Sequence, residues 1–417
     1  MRFVLGLLAL AVHSLPAAAT TAAERLTKAC RLGDAKTAES LLSAGVNPDL
    51  PDRYGGTPLY YAASFNQTEM VELLLGYHAN PNAPVTINRG ATTPLQSAAG
   101  LGNARITSIL IAAGANVNTE GGAGRTALHA AGGQVGVMQL LIEKGADVTA
   151  RDAEGVAPLD DAVWRGSLDA VAILLAHGAR LNEVEPKTGA TPINEAAYRG
   201  EAPIVQYLLR FKPDLEVPDN RGSRPLENAI RMKKEESALL LLEAQAADRK
   251  PPEFFEKTMD AAVQKDEPSV VEALLRLGVP LNSILPSGCT PVGAAAFAGA
   301  SKVLSLLLRS NADPNITGRE GNSPLEDAAL RGFDSIVGML LDHGALVDYI
   351  DKASGSTALY AAASFGRSGA VKLLLSRGAS PNLCGANRKT PYRVALEQGS
   401  EDAARLIQAH HGEKECQ

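Results

Sequence analysis

The 417-residue sequence predicts an all-α solenoid of about twelve helix–turn–helix units, counting a cap at each end. Three observations carry that prediction. A Thr-Pro-Leu-like triplet recurs, with starts at Thr57, Thr93, Thr126, Ala157, Thr191, Arg224, Lys257, Thr290, Ser323, Thr357 and Thr390, in steps of 36, 33, 31, 34, 33, 33, 33, 33, 34 and 33 residues. Each copy then shows two short apolar stripes at helical spacing, each followed by a stop signal, usually glycine. Neither stripe is long enough to make a stable helix alone in water, so every unit needs neighbours on both sides.

The stretch Gly321–Asp348 shows the unit most clearly. Ser323 is placed to accept hydrogen bonds from the next turn, and Pro324 sits where a helix tolerates a missing N–H. Leu325, Ala328 and Ala329 form the first stripe, which Gly332 ends. Ile336, Val337, Leu340 and Leu341 form the second, which Gly344 ends. In chain order, Arg2 and the apolar run Phe3–Val12 precede Ala17-Ala18-Ala19, the pattern of a signal peptide cleaved after Ala19. Thr21 and Glu24 then have capping-box spacing and open an N-terminal cap. The expected organisation is therefore a signal peptide 1–19, a repeat array 20–412 (N-cap 20–51, internal repeats 52–384, C-cap 385–412) and a flexible tail 413–417. Asn66 and Lys233 stand where the inter-helix turn usually has Gly, the return loop before Thr93 is lengthened, and Gly132-Gly133 replaces the end of a first helix. The Lys257 unit has Lys257-Thr258-Met259 in place of Thr-Pro-Leu, after Pro251-Pro252. It reads as a repeat with an altered turn, and a hinge between sub-arrays near Ala247–Phe254 is the alternative.

A period near 33 with Thr-Pro-Leu, Ala-Ala, Leu-Leu and Gly-Ala resembles the ankyrin-repeat family, over residues 24–412. The resemblance implies a protein-binding scaffold rather than an enzyme. It also implies that a partner touches the turn tips and the last residues of each first helix. Carried over position by position, these are Tyr54 in a turn, and Phe65, Trp164, Arg165, Tyr198, Arg199, Arg231, Met232, Phe297, Leu330, Arg331 and Phe365 at helix ends. Trp, Tyr and Arg are the side chains that most often dominate binding energy. Trp164-Arg165 and Tyr198-Arg199 fall in consecutive repeats and suggest the centre of the surface. Asp160, Asp161, Glu195, Glu227, Glu326 and Asp327 lie one turn earlier, so the arginines could equally serve to neutralise them.

Composition bounds the rest. Hydrophobic residues make up 45%, enough for a continuous core, and aromatics only 4%, which suits thin layers of Ala and Leu. The net charge of −6 and the absence of a basic run argue against nucleic acid. The leader's apolar run is too short to span a bilayer, so the mature chain is expected to be exported, periplasmic or secreted, without a membrane span and monomeric. No phosphate-binding loop, nucleophile turn or His-Glu-x-x-His is present, so no catalytic residue, cofactor or metal is expected. His129 occupies the slot after Thr-Ala-Leu; elsewhere that slot holds Tyr60, Gln96, Asp160, Asn194, Glu227, Gly293, Glu326 and Tyr360. His177 and His343 are placed to meet helix C-terminal carbonyls. Of Cys30, Cys289, Cys384 and Cys416, only the tail carrying Cys416 could reach Cys384, and four independent thiols are the expectation. A second reading of function is an accessory protein that stabilises an exported enzyme.

Overall fold

Most repeats start the same way. A Thr or Ser hydroxyl accepts the N–H three residues on: Thr57 from Tyr60 at 3.2 Å, Thr290 from Gly293 at 3.1 Å, Ser323 from Glu326 at 3.1 Å and Thr390 from Arg393 at 3.2 Å. This satisfies one of the N–H groups that a helix start leaves unpaired. A residue in the left-handed conformation ends the first helix, such as Gly299 at φ 77° and Gly332 at φ 74°. Asn66 and Lys233 adopt the same conformation, at φ 60° and 55°. In the computed structural model, which describes residues 21–83, 85–87, 90–248, 250–352 and 354–416, these rules produce 24 α-helices that pair into twelve helix–turn–helix units. The expected signal peptide lies outside the described residues.

The apolar stripes are the core. Leu325, Ala328, Ala329, Ile336, Val337 and Leu340 are all buried. The fourth position of the second stripe, Leu341 or Leu275, is only half-buried, because it turns toward the edge of its helix. Fully burying one Leu or Ile contributes about 1.5–3 kcal/mol, and each layer repeats the contribution. None of the described helices is long and apolar enough to cross a membrane.

The chain divides into two compact units, one ending at Lys187 and one beginning at Thr188. In the first unit the capping box Thr21–Glu24 forms as expected. The lengthened loop before Thr93 is not helical: Val85–Ile87 pairs antiparallel with Gly90–Thr92. A Cβ on Gly55 would lie 2.2 Å from the Thr86 carbonyl oxygen, so the hairpin rests on a position only glycine can fill. The Gly132-Gly133 irregularity shortens its first helix to Ala127–Ala131.

In the second unit the helix Glu235–Ala247 runs 13 residues, longer than its counterparts. A 3₁₀ turn, Pro252–Phe255, then feeds Glu256–Lys265 directly. Phe255, the last residue of that turn, is 1% exposed and its ring is part of the core. The tail is not free. Glu413 donates its N–H to Asn382 Oδ1 at 2.8 Å and accepts from the Thr390 hydroxyl, and Cys416 is disulfide-bonded to Cys384. This corrects both the flexible tail and the four independent thiols; Cys30 and Cys289 remain free.

Asparagine side chains tie neighbouring return loops together. Asn82 donates to the Gly114 carbonyl at 2.8 Å and accepts from Asn116 N–H at 2.8 Å. Asn118 does the same with Gly145 and Asp147, and Asn315 with Gly344 and Leu346. The amide of Asn315, a possible glycosylation acceptor by sequence, is therefore engaged. His177 and His343 reach the Ile173 and Met339 carbonyls at 2.8 and 2.9 Å, as their positions suggest.

A buried carboxyl pair links two repeats of the second unit. Glu326 Oε1 accepts from Ser354 Oγ at 2.7 Å and Ser356 Oγ at 3.0 Å. Asp351 accepts the N–H groups of Ser323 at 2.6 Å and Ser354 at 3.1 Å. Burial, then the hydrogen bond with the Asp351 carboxyl, pushes Glu326 from the ordinary 4.5 up to about 7. The folded chain therefore holds this proton more tightly than the unfolded chain. The resulting stabilisation is complete below pH 4.5 and is lost as pH rises toward about 7. Glu326→Gln keeps a hydrogen-bond donor and no charge. It should flatten this part of the urea midpoint-versus-pH curve and raise the midpoint at pH 8; two superimposable curves would show that Glu326 titrates normally. Cys416→Ser should lower the stability of the last repeat by about 2–4 kcal/mol, the usual effect of opening a loop of this kind. Hydrogen exchange in the helix Glu401–Ala409 measures it, and unchanged protection there would mean the tail holds without the bridge.

Candidate partner-binding face

The ends of the first helices recur at intervals of one repeat, and several pair an aromatic ring with a guanidinium. In the first unit Arg31 lies 5.4 Å from the Tyr61 ring and 5.7 Å from Phe65. In the second, Arg231 lies 5.8 Å from Tyr198 and Arg331 lies 3.6 Å from Phe297. In each pair both partners come from the last two slots of the first helix, in adjacent repeats; Tyr198 and Arg231 occupy corresponding slots, whereas Arg31–Phe65 and Phe297–Arg331 are offset by one. Each guanidinium is held by the ring quadrupole, an attraction of about 0.5–1 kcal/mol when exposed.

The expected residues distribute as follows. Tyr54 is exposed, with Arg53 5.1 Å from its ring. Phe65 is half-buried against Tyr61, at 6.4 Å between centroids. Trp164 is 57% exposed. Arg165 is exposed, and its guanidinium lies where a Cβ on Gly132 would come within 2.9 Å, which ties it to the shortened helix of the preceding repeat. Tyr198 is half-buried and also receives Arg221, at 5.7 Å. Arg199 pairs with Glu195 at 3.7 Å and Arg231 with Asp219 at 3.9 Å, so these two arginines do neutralise neighbouring acids. Met232, Phe297 and Phe365 are exposed, and the Leu330 carbonyl accepts from Arg367 Nε at 3.0 Å. Trp164 and Arg165 belong to the first unit, Tyr198 and Arg199 to the second.

The slot three residues after each cap normally bridges to the following turn. Gln96 donates to the Thr119 and Arg125 carbonyls at 3.0 and 2.7 Å, and Asn194 to the Val217 carbonyl at 2.8 Å. His129 is fully buried, with Nδ1 2.9 Å from Thr126 Oγ1 and Nε2 3.1 Å from the Val156 carbonyl; burial holds it below the usual histidine range. Asp260 accepts Ser287 N–H at 2.8 Å. Gly293 has no side chain to do this, and a groove of about 550 Å³ opens beside it. Its walls are Phe297 and Arg331 on one side and the turns around Cys289 and Asn322 on the other. Asp327 lines it at 8% exposure. Burial, against the hydrogen bond from Asn322, raises Asp327 from 3.8 to about 6, and the nearby Asp351 adds to the rise. Cys289 is half-exposed; its thiol is raised by burial, then by Asp327, Asp260 and Glu320. The slot composition already contained the signal, since Gly293 is the one residue there without a side chain. Among the described residues no group of three His, Cys, Asp or Glu is placed to hold a metal.

Family models described as ankyrin repeats match residues 26–75, 85–152, 159–250, 258–351 and 347–417. Similar proteins include the ankyrin repeat protein nuc-2 of Neurospora crassa, 29% identical over 47% of this chain and 18% of that protein. The human transient receptor potential cation channel subfamily A member 1 is 28% identical over 86% of this chain and 33% of its own length. The mouse B-cell lymphoma 3 protein homolog is 33% identical over 43% of this chain and 40% of its own. The solved ankyrin repeat domain of Bcl-3 aligns with 52% of this chain and 97% of that domain, at 28% identity and a TM-score of 0.45. The chain thus spans well under half the length of these curated relatives. With the repeat models covering nearly all described residues, the chain belongs to the ankyrin-repeat family.

Proposed function

We propose that the protein is an exported, non-enzymatic scaffold that binds another protein along the turn tips and first-helix ends. The observation that carries this reading is the recurrence of ring–guanidinium pairs between the first-helix ends of adjacent repeats. Exposed aromatic and arginine side chains are pre-ordered there before any partner arrives, so less side-chain freedom is lost on binding. The groove beside Phe297 and Arg331 adds concave surface to the same row. We place the strongest contacts of the second unit there, with Tyr198, Arg199, Arg231 and Met232 beside them and Leu330 and Phe365 beyond. Trp164, Arg165, Tyr54 and Phe65 would serve the first unit.

The leader of Arg2 and Phe3–Val12 supports export to a periplasmic or secreted location, as does the Cys384–Cys416 disulfide, which an oxidising compartment maintains. The open groove offers no closed pocket with converging catalytic groups, which favours binding over turnover. The test is capture from native exported fractions with the mature chain as bait, followed by affinity measurement for the protein retained. Phe297→Ala with Arg331→Ala, or Trp164→Ala with Tyr198→Ala, should weaken binding by roughly thirtyfold, the loss of about 2 kcal/mol that marks an interface hot spot. Undiminished affinity in both double variants would remove this face.

A further inference from the structure

We infer that the groove opened by Gly293 receives a basic side chain, lysine or arginine, of the bound partner. This rests on the protein-binding reading above and names the chemistry of its deepest contact.

Three features carry it. The first is the vacated slot. Corresponding side chains cross to the next turn in other repeats, whereas Gly293 has none and lines the groove. The atoms nearest to a Cβ placed there are Thr290 Oγ1 at 3.3 Å, a tight contact, then Cys289 Cβ at 3.7 Å and Pro324 Cγ at 3.9 Å.

The second is charge at the groove: Asp327 lines it, and Asp260 lies behind the lining residue Ser287. Asp260 and Asp327 are 6% and 8% exposed, and neither forms an ion pair among the described residues. Asp260 accepts Ser287 N–H and Gln264 Nε2, both at 2.8 Å, and Asp327 is served by Asn322. These partners are neutral. At the exposed rim Arg319 and Glu320 offset each other. Arg331 is drawn to the face of Phe297 at 3.6 Å; its charge acts on Asp327 across the groove, but the two form no ion pair among the described residues. The thiol of Cys289 registers the imbalance, since Asp327, Asp260 and Glu320 all act to keep it protonated. An anionic occupant would be repelled, and an apolar one would seal buried carboxylates away from water without a partner, which is costly.

The third is the wall. Phe297, Ala294 and Ala298 line one side. Apolar stems of Lys and Arg pack on such surfaces while their charged ends reach a carboxylate.

Cys289 is a built-in reporter. It is half-exposed in the groove, while Cys30 is buried and the other two cysteines are bonded to each other. The rate at which iodoacetamide alkylates Cys289 in the folded full chain therefore reads access to the groove. N-acetylarginine amide should slow this rate about tenfold at roughly ten times its dissociation constant. N-acetylcitrulline amide, the neutral isostere, should not protect. Asp327→Asn should abolish the arginine protection, and Gly293→Gln, which refills the slot, should shield Cys289 with no ligand present. Equal protection by both amides, or by neither, overturns the inference. Loss of partner affinity in Phe297→Ala with Arg331→Ala, alongside absent arginine protection, would leave the binding face standing and refute the basic side chain alone.

Discussion

Stacking of one thin layer on the next is the interaction on which everything else in this protein depends. Each helix pair is too short to hold its own shape, and its apolar stripe is covered only by the stripe of a neighbour. The caps, prolines and left-handed turns aim the helices, but burial of Leu, Ile, Val and Ala between layers is what makes them persist. The asparagine bridges act at the same joint. Asn82, Asn118 and Asn315 each close a helix-end carbonyl of the next repeat with one side chain, satisfying groups that the short helices leave open.

A repeated joint makes departures informative, because each must be compensated locally. Gly132-Gly133 shortens a helix, and the Arg165 side chain covers the gap. The missing Thr-Pro-Leu turn at Lys257 is replaced by a longer preceding helix, a 3₁₀ turn and the buried ring of Phe255. Phe254 beside it is held by Lys250 at 3.9 Å and Arg224 at 5.6 Å. At Gly293 no side chain among the described residues crosses to the next turn, and a groove lies there.

Electrostatics follows burial. Arg224, Glu216 and Glu227 form a surface network in which the carboxylates are held below their usual range despite partial burial. Glu326 and Asp327 are buried, Asp327 with only the through-space pull of Arg331 against it, and both are raised. The difference lies in which repeat faces them: Arg224 follows a turn that brings Glu216 beside it, whereas Glu326 meets the carboxyl of Asp351. The same residue type in the same slot thus plays opposite roles in different layers.

The period, the two stripes, the cap hydroxyls and the stopping residues were all legible in the amino-acid order, because they depend on contacts within three or four residues. So was His129, whose ring bonds its own cap. The array followed from those local rules, and the candidate slots for partner contact from the resemblance to the ankyrin-repeat family. Only the tertiary structure decided what happens between residues about one repeat apart. It placed Arg331 on Phe297, Glu326 beside Asp351, and Cys416 on Cys384. Each of these turns on the reach and direction of side chains across a layer, and a linear pattern that repeats alike in every layer carries no record of that direction.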